Sequence, residues 1–156
     1  AWSVGPSGER YRIPAAAQVG VIWSYRSVSA NDVSIAADLE IIAGEGGLML
    51  RFNNERNYLI YTVAPASGEY RLEQVSDGEP TLLVAGTNDA IRAGDGRGRV
   101  EARLRGRQVS LVMNGVTLAN VELPGASNAP RFGLVVVARD TRAEVFFDNL
   151  EIRALP

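Results

Sequence analysis

Apolar and polar positions alternate with a period of two along most of the chain. The segment 98–105 shows this clearly, since Val100, Ala102 and Leu104 alternate with arginine and glutamate. The pattern predicts a β-strand with one face toward a core and one toward solvent, as in antiparallel sheets. Segments bounded by Gly, Pro, Asn or Asp predict further strands over residues 19–25, 33–42, 48–53, 58–63, 69–75, 81–84, 107–113, 116–123, 132–138 and 143–153.

Glycine and asparagine mark the turns between these strands. Asn114-Gly115 predicts a tight hairpin, because both residue types tolerate the positive φ angles of a type I′ turn. The glycine-rich stretch 93–98 is followed by a strand pattern, and the chain has no lysine, so it predicts another hairpin turn rather than a phosphate-binding loop. A short helix over 14–18 is the one helical alternative.

About a dozen short strands without an internal repeat predict one domain over residues 1–156, an all-β antiparallel two-sheet sandwich. Residues 1–18 are expected to form partly an edge strand or an extension, with Trp2 as a plug at the edge. The segment 132–138 is apolar on both faces and is predicted to be central. Trp23 is interpreted as a core residue, with a sugar-stacking platform as the alternative.

Composition excludes several kinds of chemistry. The chain has no His and no Cys, which rules out Ser-His-Asp triads, cysteine nucleophiles, imidazole or thiolate metal sites and disulfides. The net charge is −2 with arginine and acid interleaved, so no nucleic-acid partner is expected. No apolar run approaches the roughly 18 residues of a membrane span. No cofactor is predicted.

Several segments follow one another in a recognisable order. They are Gly-Leu-Met-Leu-Arg-Phe at 47–52, Asn-Tyr-Leu-Ile-Tyr at 57–61, Gly-Glu-Tyr-Arg-Leu at 68–72, Val-Met-Asn-Gly-Val at 112–116, Phe-Gly-Leu-Val at 132–135 and Phe-Phe-Asp-Asn-Leu-Glu-Ile at 146–152. Together they resemble the concanavalin A-like lectin/glucanase superfamily, in the form of its small jelly-roll module from bacterial extracytoplasmic proteins. The resemblance implies a concanavalin-like jelly roll and a secreted or cell-surface location. It does not define an activity, since the superfamily includes glycosidases, lectins and modules without a known ligand.

The resemblance also implies a concave sheet face that binds glycans in many relatives. Alternation predicts that Leu48, Leu50 and Phe52 face the core in one strand, and Tyr70 and Leu72 in another. Residues at the opposite positions of these strands, and on the charged side of strand 98–105, are candidates for ligand binding. Tyr61 is added to them, although the pattern leaves its direction open. The candidates are Arg51, Asn53, Tyr61, Arg71, Glu73, Arg99 and Arg103.

Two interpretations of these arginines stay open. Interleaved with Glu69, Glu73 and Glu101, they form a cross-strand ladder of opposite charges in the favoured interpretation. In the alternative, their guanidinium groups bind a sugar polymer through planar, bidentate hydrogen bonds.

Two acidic pairs are weaker candidates. Asp38 and Glu40 lie two residues apart on one strand face, but the glutamate-aspartate-glutamate motif of the superfamily's glycosidases is absent. A solvated strand explains this pair better than catalysis, which needs carboxyl groups about 5–5.5 Å apart in retaining enzymes. Asp148 and Asn149 carry the oxygen ligands that calcium prefers. A buried side-chain-to-backbone hydrogen bond is the favoured interpretation, so neither a catalytic residue nor a metal site is predicted.

The sequence thus predicts a non-catalytic recognition module that binds a glycan or polysaccharide. A structural or protein-interaction domain of a larger protein is the alternative. A glycoside hydrolase is the third hypothesis, which the missing carboxylate motif disfavours.

Overall fold

The computed structural model describes residues 11–15, 20–27, 32–94, 96–124, 131–138 and 143–155, and for the first two ranges the backbone alone. The described elements follow the period-two pattern of the sequence. They are the strands β1 (Tyr11–Ala15), β2 (Gly20–Ser27), β3 (Val33–Ala43), β4 (Glu45–Asn54), β5 (Asn57–Ala64), β6 (Glu69–Ser76) and β7 (Glu79–Thr87), the helix α1 (Asp89–Ala93), and the strands β8 (Arg97–Arg105), β9 (Gln108–Met113), β10 (Val116–Glu122), β11 (Arg131–Ala138) and β12 (Ala143–Ala154).

The strands form two six-stranded antiparallel sheets. Sheet A has the order β1-β12-β3-β8-β9-β10, and sheet B has the order β2-β11-β4-β5-β6-β7. Apolar side chains from both sheets meet in one main core, to which sheet A contributes Val100 and Leu104 and sheet B contributes Leu48 and Leu72. The prediction of an all-β two-sheet sandwich is confirmed.

Several local predictions are confirmed as well. Asn114 and Gly115 have φ angles of 50° and 80° and join β9 to β10, as a type I′ hairpin requires. Strand β11 lies between β2 and β4, with apolar side chains buried on both of its faces. Tyr70 and Leu72 pack in the main core, and Val100, Ala102 and Leu104 are fully buried.

The helix lies elsewhere than the sequence suggested. Pro14 belongs to β1, whereas the helix begins after Asn88, whose side chain accepts a 2.9 Å hydrogen bond from the amide of Ala90. The glycine-rich stretch after α1 is not a hairpin turn. It is the last part of the connection that leads from β7 of sheet B through α1 to β8 of sheet A. No helix among the described residues has the length and hydropathy that crossing a membrane requires.

The structure does not describe the side chain of either tryptophan. The position of Trp2 is outside the described residues, as are 16–18 of the alternative helix. The backbone of Trp23 pairs with Val135 in sheet B, which gives its register.

A second apolar cluster lies on the outer face of sheet B, away from the main core. It contains Met49, Phe52, Ile60, Val135 and Val137, each at most 4% exposed. The prediction that Phe52 faces the main core is therefore wrong. The cause is a β-bulge in β4, where the pairing with β5 shifts between Leu50 and Asn54 and the alternation changes phase.

Candidate functional site

The seven predicted ligand-binding residues do not share one face. Arg71 and Glu73 lie on the outer face of sheet B, opposite Thr62 and Ile60 of β5. Arg99 and Arg103 belong to β8 in sheet A, so the whole thickness of the sandwich separates them from Arg71. The prediction of a single site is corrected on this point, because strand alternation assigns a face within a strand but does not assign a strand to a sheet.

Arg51 is a buried residue at the bulge of β4. Its side chain is 4% exposed and its φ angle is +47°. Burial lowers the pKa of its guanidinium, and the charge of Asp32 acts in the opposite direction. The prediction that Arg51 lines an accessible face is wrong, since the bulge breaks the alternation on which it depended.

Tyr61 lies in the main core and is fully buried. Its hydroxyl donates a 3.0 Å hydrogen bond across the sandwich to the carbonyl oxygen of Val112 in β9. A surface ligand cannot reach this ring in the folded protein, so the prediction of Tyr61 as a ligand-binding residue is corrected. Tyr58 and Ile60 take the opposite, outer face of β5.

The buried hydroxyl of Tyr61 is expected to make stability fall at alkaline pH. Burial, with a smaller contribution from Tyr70, raises the pKa of Tyr61 far above 10.0. In the unfolded chain the hydroxyl ionises near pH 10, while in the folded chain it stays neutral. The contribution of this hydroxyl to the free energy of unfolding is therefore fully present below about pH 10. Above that pH the free energy of unfolding falls by about 1.4 kcal/mol per pH unit because of this group.

Urea unfolding between pH 8 and 11.5 measures this slope for the parent and for Tyr61→Phe. The variant should lose stability less steeply, with a residual slope from Tyr58, whose pKa is raised by burial and by Glu73. Equal slopes in both proteins would show that Tyr61 ionises as freely in the folded state as in the unfolded one.

Ion pairs connect β3, β8 and β12 on the outer face of sheet A. Arg99 donates to Asp38 at 3.0 Å and lies 3.3 Å from Glu151. Arg103 donates to Glu101 at 2.6 Å, which raises the pKa of Arg103. These arginines are ion-paired as the favoured interpretation expected, but the cross-strand partners of Arg99 are Asp38 and Glu151 instead of the predicted glutamates, and the Arg103 pair lies within one strand. Residues two apart on a strand share a face, so a long arginine side chain reaches its own neighbour.

Asp38 and Glu40 both pair with arginines of β8. Arg97 donates to Glu40 at 2.5 Å, and Arg99 donates to one oxygen of Asp38 while the Asn149 amide donates to the other at 2.8 Å. Each carboxylate is thus held as an ion-pair partner in a strand ladder. This geometry agrees with the solvated-strand interpretation of the pair.

The carboxylate of Asp148 accepts a 2.8 Å hydrogen bond from the backbone amide of Asn149, whose φ angle is 51°. This is the side-chain-to-backbone bond that the sequence favoured, although it is exposed rather than buried. In the described part of the chain, no group of three acidic, His or Cys side chains is arranged to hold a metal ion.

The β4–β5 hairpin holds an open polar cavity that includes the predicted residue Asn53. This hairpin-end cleft has a volume of about 790 Å³, and Phe52, Asn53, Asn54, Glu55, Arg56, Asn57, Asp77 and Arg131 line it. Its volume is within the range of small-molecule binding sites, about 300–1,000 Å³. Sequence reasoning found Asn53 but missed the cleft.

Hydrogen bonds between two hairpins fix the frame of this cleft. The side-chain oxygen of Asn54 accepts from the amide of Arg56 at 2.8 Å and from the side chain of Asn57 at 3.0 Å. Asn57 in turn accepts from the amide of Asp77 at 3.1 Å, and Arg56 donates to the carbonyl of Asp77 at 2.7 Å. The β4–β5 hairpin is thereby tied to the β6–β7 hairpin, so the cleft is formed before any ligand arrives.

Two exposed side chains of the cleft have no role in this frame. Within the described residues, no hydrogen bond or ion pair engages the carboxamide of Asn53 or the carboxylate of Glu55. Phe52 is the apolar side chain in the lining, and the guanidinium carbon of Arg131 lies 5.6 Å from its ring centre. Two acids and two arginines line the cleft, so its charge is balanced.

This arrangement suits a neutral ligand rich in hydroxyl groups. A carboxamide both donates and accepts hydrogen bonds, a carboxylate accepts them and a guanidinium donates them. A hydroxyl group can satisfy each of these partners, whereas a charged polymer gains no net attraction from a balanced cleft.

Comparisons with known proteins place the fold. The sequence matches no family model and no curated protein sequence. The carbohydrate-binding module CBM66 from Bacillus subtilis superimposes with a TM-score of 0.72 at 14% identity, over 99% of this chain and 91% of that one. Sheep galectin-11 superimposes with a TM-score of 0.65 at 6% identity, over 86% of this chain and 98% of that one.

A glycoside hydrolase family 16 protein shares the fold too. The GH16 protein of the Bacteroides ovatus mixed-linkage glucan locus, solved with its G4G4G3G product, gives a TM-score of 0.65 at 8% identity, over 97% of this chain and 84% of that one. At these identities the likeness shows the fold alone. The chain has a concanavalin-like jelly-roll fold, so the fold that the sequence resemblance implied is confirmed.

Proposed function

We propose that the chain is a non-catalytic module that binds neutral glycans in the hairpin-end cleft. The observation that carries this proposal is the prepared cleft, in which a rigid frame leaves Asn53 and Glu55 free to bind a ligand. One neighbour in fold is a carbohydrate-binding module by name, and another was solved with an oligosaccharide. A polysaccharide ligand would be met outside the cell, so a secreted or surface location is part of the proposal.

Replacing Asn53 with alanine is expected to weaken glycan binding about 3- to 10-fold without changing the melting temperature. The change removes about one hydrogen bond to the ligand, which contributes about 0.5–1.5 kcal/mol. The Asn53 side chain is exposed and makes no hydrogen bond within the described part of the protein, so its loss should not change the stability of the fold. Affinity electrophoresis against mixed-linkage β-glucan, laminarin and xylan, followed by calorimetry on the polysaccharide that binds, measures the effect.

Asn120→Ala is the matched control for this experiment. Asn120 is also an exposed asparagine, but it lies on β10 in sheet A, where it accepts a hydrogen bond from Ser110. The control should bind as the parent does. Equal binding by the parent and Asn53→Ala would show that the glycan binds outside the hairpin-end cleft. If no polysaccharide binds, the glycan proposal fails and a protein-interaction domain becomes the leading function.

A further inference from the structure

The turn between β9 and β10 contains two neighbouring residues that can react with each other. Asn114 is followed directly by Gly115, and both residues are exposed. A glycine has no side chain to shield its backbone amide, and a Cβ built on Gly115 would have no atom within 4 Å. Attack of the Gly115 nitrogen on Cγ of Asn114 closes a five-membered ring, so the pair has the connectivity that deamidation requires.

Deamidation of such a pair proceeds through a cyclic imide. Base removes the amide proton of Gly115, and the nitrogen forms a bond to Cγ of Asn114. The bond from Cγ to Nδ2 then breaks, and the nitrogen leaves as ammonia after it takes up a proton. Water opens the imide at either carbonyl, which leaves aspartate or isoaspartate at position 114. Water and hydroxide are the only co-reactants in this sequence of steps.

The fold holds the carboxamide of Asn114 at both of its polar atoms. The oxygen accepts a 2.8 Å hydrogen bond from the amide of Arg99 in β8, and the nitrogen donates to the carbonyl oxygen of Ala90 in α1 at 3.4 Å. The carboxamide also packs on the backbone of Gly98, where a Cβ would lie 3.0 Å from its oxygen and 3.1 Å from its nitrogen. Contacts to β8 and α1 therefore fix the orientation of the reacting group.

These contacts should slow the reaction in the folded protein. The carboxamide has to turn toward the nitrogen of Gly115 before the ring can close, and this rotation breaks both of its hydrogen bonds. Two hydrogen bonds of ordinary net strength correspond to a reaction about 10- to 100-fold slower than in the unfolded chain. The type I′ turn adds to the restraint, because it fixes the φ angles of Asn114 and Gly115 at 50° and 80°.

The product no longer has the hydrogen-bond donor that contacts α1. An ionised carboxylate only accepts hydrogen bonds, so its oxygen faces the carbonyl oxygen of Ala90 as a second acceptor. Helix α1 contains Ile91, which is fully buried in the main core. Deamidation therefore weakens one of the contacts that hold α1 on the sandwich, and it adds one negative charge to the net charge of −2.

We propose that Asn114 is a modification site at which the chain deamidates slowly, and that the contact with α1 controls the rate. The proposal goes beyond glycan binding and does not depend on it. The β9–β10 turn belongs to sheet A, whereas the hairpin-end cleft is built from sheet B.

Peptide mass spectrometry measures the conversion of Asn114 after incubation of the intact protein at pH 8.5 and 37 °C. A parallel sample in concentrated urea gives the rate in the unfolded chain, and the folded protein should react about 10- to 100-fold more slowly. Asn120 of the same hairpin is the internal control, because the β-branched Val121 after it shields the backbone amide. No conversion in urea overturns the site, and equal rates in buffer and urea overturn the restraint by the fold.

The variants Asn88→Ala and Asn54→Ala test the control by α1. Both side chains accept a hydrogen bond from the amide two residues further on, Asn88 from Ala90 at 2.9 Å and Asn54 from Arg56 at 2.8 Å. Only Asn88 caps α1, so its loss loosens the helix end that holds the Asn114 carboxamide. Asn88→Ala should deamidate at Asn114 about 2- to 10-fold faster than the parent in buffer, and Asn54→Ala at the parent's rate. Equal rates in the two variants overturn the control by α1.

Discussion

Replacing Tyr61 with alanine is expected to lower the free energy of unfolding by about 3–5 kcal/mol. The ring is fully buried in the main core, so its removal leaves a cavity between the sheets. It also leaves the Val112 carbonyl without its 3.0 Å hydrogen bond. Urea unfolding at pH 7 measures the loss directly.

Two further variants separate the parts of this effect. Tyr61→Phe keeps the ring and removes the hydroxyl, so it should lose about 0.5–1.5 kcal/mol, the net contribution of one hydrogen bond. Tyr58→Ala changes a half-buried tyrosine of the same strand on the outer face, and it should lose less than Tyr61→Ala. If Tyr61→Ala were as stable as the parent and failed to bind glycan, Tyr61 would be a ligand contact after all.

Regular alternation allowed most of the strands to be predicted from the sequence. In β8 and β9 every second residue is apolar, and the structure buries that set against sheet B. The apolar run of β11 was also informative, since a strand buried on both faces needs no alternation. These signals are local, because each depends on residues within one strand.

The positions of the β-bulges and the assignment of strands to sheets could not be predicted from this local pattern. The bulges of β4 and β12 place Arg51 and Asn149 at positive φ, although neither residue is a glycine. Such conformations are held by surrounding tertiary contacts rather than by local preference. The phase change after Arg51 moved Phe52 to the outer face, and no pattern within residues 48–53 indicates it.

The candidate site was predictable only in part. The run 53–57 contains three asparagines around a glutamate and an arginine, which is typical of a tight polar turn and could have drawn attention to it. The tie between this turn and Asp77 could not have been found, because it depends on how β5 and β6 pair. Arg71 and Arg99 look equivalent in the sequence and lie on opposite sheets.

Replacing Arg51 with alanine is expected to lower the free energy of unfolding by about 2 kcal/mol, because it removes the packing of a side chain that is only 4% exposed. The guanidinium is influenced by Asp32, which accepts hydrogen bonds from the amides of Gly106 and Leu155. These residues all belong to one end of sheet A, whereas Arg51 belongs to β4 of sheet B. The charge of Asp32 at this end of sheet A therefore favours the charged form of the buried Arg51 guanidinium.

Arg51→Gly distinguishes the side chain from the backbone conformation. A left-handed backbone costs an L-residue about 1–2 kcal/mol relative to glycine. The glycine variant should therefore be more stable than the alanine variant by about 1 kcal/mol, while both remain less stable than the parent. Arg103→Ala, which removes an exposed arginine with one ion pair, should leave the stability close to that of the parent. If Arg51→Ala kept the parent's stability and lost glycan binding, Arg51 would be a surface ligand contact, and its burial at the bulge would contribute nothing to stability.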